Sequence, residues 1–288
     1  MPYLAGRRRL GLTWISDAWG ILVEDQAEVG KKSQVVGYTY YASFAGVVCL
    51  GPVHALHGIW IAEELVWKGP LSAGTDDFTE ITVEGRGSLI LYWGTEAQTP
   101  DPTLAASGVV HPGYRGQCYA VFDDWVLGEN RSQVPAVEFD VTRLPATALT
   151  VEAVLNGEVH PLVALEELLL NRRFGAGLDP ALLDYPSWNL AAEHLADEGF
   201  SVSVFLDQAN ALDALIANFL EYLDAALVQT ASGKLALRLL RGWTARRSPL
   251  TVEHPTDPPD LTAHGWRDSQ QGGRPVQQPR PGLADRFQ

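Results

Sequence analysis

Three pairs of adjacent acidic residues are the first candidates for acid–base chemistry in this chain. Glycoside hydrolysis, for example, needs two carboxyl groups that face one pocket, one of them in an apolar setting that raises its pKa. Adjacent residues on a strand point to opposite faces, so one doublet cannot supply both groups by itself. We therefore interpret the doublets as turn and surface acids: Glu63-Glu64, Asp76-Asp77 and Asp123-Asp124.

Two histidines, His54 and His57, are candidates for metal ligands. Residues three apart share a face on a helix, but Gly51-Pro52 and Gly58 favour extended chain here, where such residues point to opposite faces. We interpret both as packed or surface histidines and predict no metal site. The sequence also contains no GxSxG, HExxH, Walker or Rossmann motif, and we predict no catalytic or cofactor-binding residues.

The charge balance disfavours nucleic acid as a partner. The formal net charge is −14, whereas binding to phosphates requires clustered Lys and Arg. We interpret the main basic run, Arg7-Arg8-Arg9, as a solvated or frayed end of the chain. A hydrophobic content of 46% with only 19% charged residues predicts folded domains with a sizeable core.

The cysteines and the apolar segments indicate a cytoplasmic origin. Cys49 and Cys118 lie in apolar, strand-like segments, where buried reduced thiols are expected and a disulfide is the alternative. No segment approaches the ~18 apolar residues that a membrane span needs. Ser16 and Asp17 interrupt the run that a signal peptide would require, so we expect the chain to be made and folded in the cytoplasm.

The elements that would position these residues are mainly strands in the first half of the chain. Alternating or continuous apolar residues bounded by glycine and proline favour strands. We predict strands at residues 34–49, 78–84, 88–93, 117–122 and 134–143, extended chain at 53–67, and turns at 68–70 and 74–77. Residues 1–32 are ambiguous, and we prefer packing on the sheet to an exposed interface patch for their large apolar residues: Trp14, Trp19, Ile21, Leu22 and Val23.

From residue 149 the pattern changes to alternating helices and strands. We predict hairpins at 150–159 and 226–240, a strand at 200–206, and helices at 161–173, 188–198 and 208–222. Ser187 is the predicted cap of the second helix, and Gly175 and Gly199 are the predicted ends of the first two. After residue 245 hydrophobicity falls and Pro, Gln, Gly and Arg accumulate, which is typical of a disordered tail.

Several dispersed motifs occur in a characteristic order in the first half of the chain. YYASFA at residues 40–45 precedes GTEAQTPDP at 94–102, PGYRGQCYAVF at 112–122 and NRSQVPAVEFDVTR at 130–143. In this order the motifs resemble the tail-tip hub proteins of long-tailed phages and gene transfer agents. The sequence departs from the family pattern at Leu50-Gly51-Pro52, where a Glu before the Gly is usual.

The resemblance implies an α+β fold with a β-rich, barrel-like hub domain at 1–148 and a smaller inserted α+β domain at 149–245. It implies a structural, non-enzymatic protein at the virion tail tip, assembled in the host cytoplasm as a homotrimer. The implied partners are the distal tail protein, the tape measure protein and tip or fibre proteins, with no specific nucleic-acid binding and only indirect membrane contact during infection. The residues of the two signature loops would shape assembly contacts: Gly94, Thr95, Glu96, Gln98, Pro100, Asp101, Pro102, Tyr114, Arg115 and Gly116.

The tail at 246–288 suggests a change of reading frame. The family continues here with strands that return to the first domain, and Gly265-Trp266-Arg267-Asp268 fits their start. Codons exist for residues 268–288 that, read one base forward, spell TANRVVVRFNNRDRGWLTDS, which resembles the family's next strand. We hypothesise a frameshifted, truncated hub, and the gene's nucleotide sequence tests this.

Two other functions remain open from the residues alone. A tail-associated cell-wall hydrolase would require Asp123, Glu138 and His111 to converge in one cleft. A carbohydrate-binding module would require exposed aromatic faces that stack on sugars, with core packing as the alternative for its candidates: Trp60, Trp67, Trp93 and Trp125.

Overall fold

The computed structural model describes residues 2–25, 37–129, 133–155, 158–206 and 212–241. The strands are β1 (Tyr3–Gly11), β2 (Thr13–Trp14), β3 (Trp19–Asp25), β4 (Tyr38–Leu50), β5 (Ala55–Ile61), β6 (Glu64–Ser72), β7 (Phe78–Val83), β8 (Gly87–Tyr92), β9 (Gln117–Glu129), β10 (Val137–Arg143), β11 (Val154–Leu155), β12 (Glu158–Val159), β13 (Val204–Leu206), β14 (Ala225–Gln229) and β15 (Leu235–Leu239). The helices are α1 (Pro161–Leu170), α2 (Tyr185–Asp197) and α3 (Leu212–Tyr222), and single 3-10 turns lie at Pro102–Ser107 and Pro180–Leu182.

Two antiparallel sheets form the first half of the molecule. One sheet has the strand order β13-β1-β10-β5-β6, and the other has β2-β4-β9-β8-β7, with β3 also paired to β4. Apolar residues of both sheets share one core, in which the rings of Phe122 and Phe139 lie 6.3 Å apart. This arrangement confirms a β-rich α+β fold.

The expectation of a barrel was wrong for the described strands, because neither sheet closes on itself. The strand β6 ends the first sheet and contains Pro70. Proline has no backbone N–H to donate to a further strand, so it is confined to edges and bulges. Residues 68–70, which were predicted as a turn, belong to this edge strand, because an edge position tolerates proline. The peptide bond between Gly69 and Pro70 is cis.

The strand β9 lies at the centre of the second sheet and is buried on both faces. Cys118, Ala120 and Phe122 face the core between the sheets, while Tyr119 and Val121 face a smaller apolar cluster on the other side. The two cysteines are free and lie opposite each other on β4 and β9. This confirms the expectation of reduced thiols, and burial raises the pKa of Cys49 to about 12.

The basic run Arg7-Arg8-Arg9 is not a frayed end but the middle of β1. Alternation along the strand places Arg7 and Arg9 on one face, where they pair with Asp140 and Glu138 of β10. Arg8 points to the other face, and its guanidinium carbon lies 4.8 Å from the centre of the Phe205 ring. Because the partners of all three arginines lie far away in sequence, the composition of the run did not reveal the strand.

The second half packs α1, α2 and α3 around one apolar core. The predicted helices are present, but α1 ends earlier than expected, at Leu170, and α2 begins earlier, after Asp184. Ser187 does not cap α2, because its hydroxyl donates to the Asp184 carbonyl and accepts from Leu237 N, 3.2 Å away. Gly199 follows α2 with a φ of 76°, as expected for a helix end.

The two halves share contacts across the predicted boundary at residue 148. The strand β13 pairs with β1, and Tyr3, Ala5 and Leu50 belong to the core of the second half. The predicted division into residues 1–148 and 149–245 stays a prediction. The predicted tail at 246–288, and with it the frameshift hypothesis, lies outside the described residues.

Candidate functional site

The two signature loops lie side by side at one end of the second sheet. The first, at residues 94–102, follows β8, and the second, at 112–116, precedes β9. The strands are antiparallel neighbours that place Tyr92 opposite Tyr119, so the end of β8 and the start of β9 fall at the same edge. The structure therefore brings together the residues that the sequence motifs singled out.

Gln98 is the fully buried centre of this loop pair. Its amide oxygen accepts from Gly94 N at 3.1 Å, and its amide nitrogen donates to the carbonyls of Tyr114 and Gln117 at 2.5 and 3.0 Å. One side chain thus satisfies backbone groups from both loops. Because these hydrogen bonds join backbone groups of both loops, Gln98 fixes the relative position of the loops.

Asp101 is the second buried anchor. One carboxylate oxygen accepts from the hydroxyl of Tyr92 at 3.0 Å, and the other caps the 3-10 turn by accepting from Thr103 N at 2.7 Å. Burial, followed by the nearby charge of Asp101, raises the pKa of the Tyr92 phenol. The carboxylate is therefore used for local structure and is covered from solvent.

Aromatic residues connect the loops to the sheet below. The rings of Tyr92 and Tyr119 stack with centroids 4.4 Å apart, and the ring of Tyr114 lies 5.2 Å from that of Tyr119. The hydroxyl of Tyr114 is 2.7 Å from His111 Nδ1, and His111 Nε2 is 3.0 Å from the hydroxyl of Ser107. This hydrogen-bonded row holds the second loop against the 3-10 turn.

Close backbone contact requires two of the glycines. A side chain on Gly94 would place its Cβ 2.7 Å from the Cα of Gly51 and 2.8 Å from Cys118 N, and the φ of Gly94 is 88°. Gly51 in turn donates its N–H to the carbonyl of Gly116 at 3.0 Å. The Gly-Pro sequence after β4 and the start of the GTE motif are therefore parts of one contact.

The loops also border a cleft of about 460 Å³ between the two halves of the molecule, next to α1. Glu96 lies 3.3 Å from the Nη1 atom of Arg173 across this cleft, and both side chains are more than half exposed. Below it, Arg143 forms a bidentate ion pair with Glu167, with N···O distances of 2.6 and 2.9 Å.

The buried ion pair has further partners in β1 and β4. Arg143 donates to the carbonyl of Leu4 at 2.8 Å and to that of Gly51 at 3.3 Å, and the hydroxyl of Tyr3 donates to Glu167 at 2.9 Å. Sequence reasoning missed this network entirely. Charged partners so far apart along the chain have no characteristic spacing, so no sequence signal would have revealed it.

The other candidate residues do not form a common site. Asp123 accepts from the hydroxyl of Ser43 in the second sheet, whereas Glu138 pairs with Arg9 in the first sheet and His111 contacts Tyr114. The hydrolase hypothesis required these three to converge. Each instead has a separate hydrogen-bonding partner on a different element.

The histidines and tryptophans highlighted in the sequence are mostly packed. His54 Nδ1 accepts from Leu144 N at 3.1 Å, and His57 Nε2 lies 2.8 Å from the hydroxyl of Thr142. Trp93 and Trp125 are buried in the core between the sheets. Trp67 is partly buried against that core, so the core-packing interpretation fits Trp67, Trp93 and Trp125. Trp60 lies outside the core, and the guanidinium of Arg9 covers its ring at 4.7 Å.

Within the part of the chain that the structure describes, no group of three or more His, Cys, Asp or Glu side chains is arranged to hold a metal ion. The described helices include none that is both long and apolar enough to cross a bilayer.

The chain has a distant likeness among solved structures. No protein-family model and no curated protein matches the chain. Among solved structures, a chain described as "Virion of native gene transfer agent (GTA) particle" is similar to it, with a TM-score of 0.42 and 20% sequence identity. The likeness covers 83% of this chain and 52% of that chain, so this chain spans about half the length of the chain it matches. A likeness at this level does not assign a function.

Proposed function

We propose that the chain is a structural, non-enzymatic component of a phage-like tail tip, a hub that closes the distal end of the tail tube. The observation that carries the proposal is the construction of the signature loops. Their two buried polar side chains, Gln98 and Asp101, form hydrogen bonds that fix the loop backbone. The outer residues of a loop fixed in this way are free to contact a partner.

The outer face of the loops is exposed and contains charged, polar and apolar residues. Glu96, Thr99, Pro100 and Arg115 are exposed, with Arg115 donating weakly to the Gln98 carbonyl at 3.4 Å. Such residues give specificity at the rim of an interface more than they give affinity. In the proposed hub this face contacts the distal tail protein or the tip and fibre proteins.

An adjoining apolar surface is suited to contact between copies of the chain. The 3-10 turn lies against β3. We define the β3 surface as the exposed apolar residues of β3 and of the short segment that follows this turn: Ile21, Leu22, Val23, Val109 and Val110. Val110 is 96% exposed. The sequence predicts that Ile21, Leu22 and Val23 pack on the sheet, but in the structure all three are exposed.

The strand β3 also has a free backbone edge as far as the described strands go, because it pairs only with β4. Three consecutive exposed aliphatic residues on an edge strand are an aggregation hazard for a monomer. A closed ring in which each copy covers the β3 surface of its neighbour removes this hazard. We therefore take a second copy of this chain as the occupant, in the homotrimer that the proposed role implies.

Light scattering combined with size-exclusion chromatography tests the proposal on the purified full-length chain. A trimer of 31.4 kDa chains has a mass of about 94 kDa, and we expect this mass to appear as concentration rises. Leu22→Asp and Val110→Asp should shift the population to monomer, because each places a charge on the β3 surface. Both positions are exposed, so the variants should retain the circular dichroism spectrum of the parent.

The matched control is Leu190→Asp, which places the same charge on a similarly exposed residue of α2. This variant should leave the mass distribution unchanged. A parent chain that stays monomeric at every concentration, or a control that dissociates as readily as Leu22→Asp, would contradict the assembly proposal.

A further inference from the structure

The cleft of about 460 Å³ between the two halves has a composition that suits a small ligand. Its volume lies within the range of small-molecule sites, which combine apolar walls with a few polar groups that fix orientation. Apolar side chains from both halves contribute to the walls, among them Pro52, Leu144, Pro145 and Phe174. The polar side chains of the same lining are therefore the groups that would select a ligand.

His54 contributes a hydrogen-bond donor to the lining. Its Nδ1 accepts from Leu144 N at 3.1 Å, so this nitrogen carries no proton. Burial, followed by the charge of Arg143, lowers the pKa of His54, so the ring is neutral near pH 7 and its proton lies on Nε2. His54 is exposed, and no described residue accepts a hydrogen bond from its Nε2.

Asn171, directly after α1, contributes a second donor. Its Oδ1 accepts from Arg173 N at 2.8 Å and from Phe174 N at 3.3 Å, which fixes the orientation of the amide. The two protons of Nδ2 therefore point away from these backbone groups. Within the described part of the chain Nδ2 has no partner, and it is not among the polar atoms enclosed without one, so a ligand in the cleft can reach it.

Arg173 is held at the mouth of the cleft with half of its guanidinium unused. Its Nη1 lies 3.3 Å from Glu96, and both side chains are more than half exposed. A Cβ atom on Gly116 would lie 2.6 Å from Glu96 Oε1, so glycine at this position leaves room for the pair. The other edge of the guanidinium, formed by Nε and Nη2, contacts no acceptor among the described residues.

The remaining charges of the lining are already paired. Glu167 accepts from Arg143 and from the hydroxyl of Tyr3, and Arg143 is almost fully buried. Apart from the exposed carboxylate of Glu96, the side-chain hydrogen-bonding capacity left over in the described lining therefore consists of donors. These donors come from both walls of the cleft, and backbone groups orient two of them, which reduces the entropy that binding would cost.

We propose that this cleft binds the carboxylate of an aliphatic acid. A carboxylate only accepts hydrogen bonds, and its two oxygens match the free edge of the Arg173 guanidinium. The apolar walls suit an aliphatic stem, which inorganic phosphate lacks. The carboxylate belongs either to a small free acid or to an acidic side chain of another protein, and the experiment separates these sources. The inference does not depend on the tail-tip role.

The side-chain amide signal of Asn171 provides the test, recorded by NMR on the uniformly nitrogen-15-labelled full-length chain. It is identified as the signal missing from the Asn171→Ser variant. Butyrate and the capped peptide acetyl-Gly-Glu-Gly-amide are titrated at constant ionic strength, each beside its neutral amide, butyramide or acetyl-Gly-Gln-Gly-amide. We expect a saturable shift with at least one carboxylate and none with the amides. The tighter of the two carboxylates identifies the source, and inorganic phosphate is titrated as the competing anion.

Arg173→Gln should weaken binding of that carboxylate about tenfold, as expected for the loss of a hydrogen bond to a charged group. The matched control Arg172→Gln removes the same charge from the adjacent exposed residue, which does not line the cleft, and should leave the binding constant unchanged. Glu96→Gln should tighten binding about two- to fivefold, because the ligand no longer competes with an exposed carboxylate for Arg173. A merely structural disturbance would not tighten binding.

Three results would overturn the proposal. The first is that neither carboxylate gives a saturable shift, or that the neutral amides or phosphate bind as tightly as the carboxylates. The second is that Arg172→Gln weakens binding as much as Arg173→Gln. The third is that Glu96→Gln fails to tighten it.

Discussion

At the scale of single residues, Gln98 and Asp101 show that polar side chains in a loop can determine its shape. Their residue types and their place in a proline-rich loop suggested exposed contacts, and the resemblance assigned them to an assembly surface. The structure instead buries both and directs them at the backbone of their own loops. The sequence did not reveal this, because the burial of Gln98 depends on the carbonyls of Tyr114 and Gln117, which the sheet brings close.

The role of Gln98 predicts a large effect for a change that preserves its size. In Gln98→Glu an oxygen replaces the amide nitrogen that donates to two carbonyls, so three acceptors would face one another without a proton between them. We expect the free energy of unfolding to fall by about 3 kcal/mol, since buried groups would lose their partners. Urea denaturation followed by fluorescence measures this change. Thr99→Ala, at the next, exposed position, should stay within about 0.5 kcal/mol of the parent, and an equal loss there would show that the loop as a whole is sensitive.

At the scale of elements, the sequence predicted the strands that have a clear apolar pattern, but not β1 and only part of β6. The predicted strands at residues 78–84 and 88–93 correspond closely to β7 and β8. The sequence does not predict β1, because three arginines occupy its centre, and the extended chain predicted at 53–67 includes only the start of β6, because Gly69-Pro70 is typical of a turn. Ion pairing with β10 and an edge position in the sheet, neither visible locally, make both strands possible.

The start of α1 carries a pH-dependent contribution to stability. His160 caps the helix: its Nδ1 accepts from Leu162 N at 3.2 Å, and its Nε2 donates to the carbonyl of Ala192 at 3.1 Å. This arrangement needs the neutral ring, and burial lowers the pKa of His160 below its ordinary value. The unfolded chain therefore binds a proton more readily than the folded one. Stability from this residue is fully present above the unfolded pKa, about 6.5, and is lost as the pH falls toward the folded pKa.

His160→Asn should flatten this dependence, because asparagine keeps the cap acceptor and does not titrate. Urea midpoints measured from about pH 7 to about pH 5.5 should fall more steeply for the parent than for the variant. Parallel slopes would show that His160 does not contribute and would point to His54, whose pKa burial also lowers.

At the scale of the whole molecule, two Arg–Glu pairs join the halves and should differ greatly in importance. The Arg143–Glu167 pair is almost fully buried, whereas the Arg173–Glu96 pair is largely exposed. The amino-acid sequence does not indicate this difference, since both pairs consist of an arginine and a glutamate. Burial decides it, because a buried charge without its partner is costly and an exposed pair is weakened by solvent.

Arg143→Met should therefore lower the free energy of unfolding by about 3–5 kcal/mol, because it leaves Glu167 buried without a counter-charge. Arg173→Met, the matched control, should change it by less than about 1 kcal/mol. The double variant Arg143→Met, Glu167→Met should regain much of the loss, since no uncompensated charge remains. Denaturant titration gives all three values, and equal effects of the two single variants would show that burial does not distinguish the pairs.

The paired cysteines of β4 and β9 have a practical consequence for following the motions of this fold. They are the only thiols in the chain, and both are fully buried, at the end of β4 and the start of β9. A thiol-labelling reagent in native buffer can react only after this end of β4 separates from the start of β9, so its rate reports the local opening of that strand pair. Assembly that covers the β3 surface, next to β4, should slow the labelling. The labelling rate of the two cysteines therefore gives a measure of the exchange between free and assembled copies.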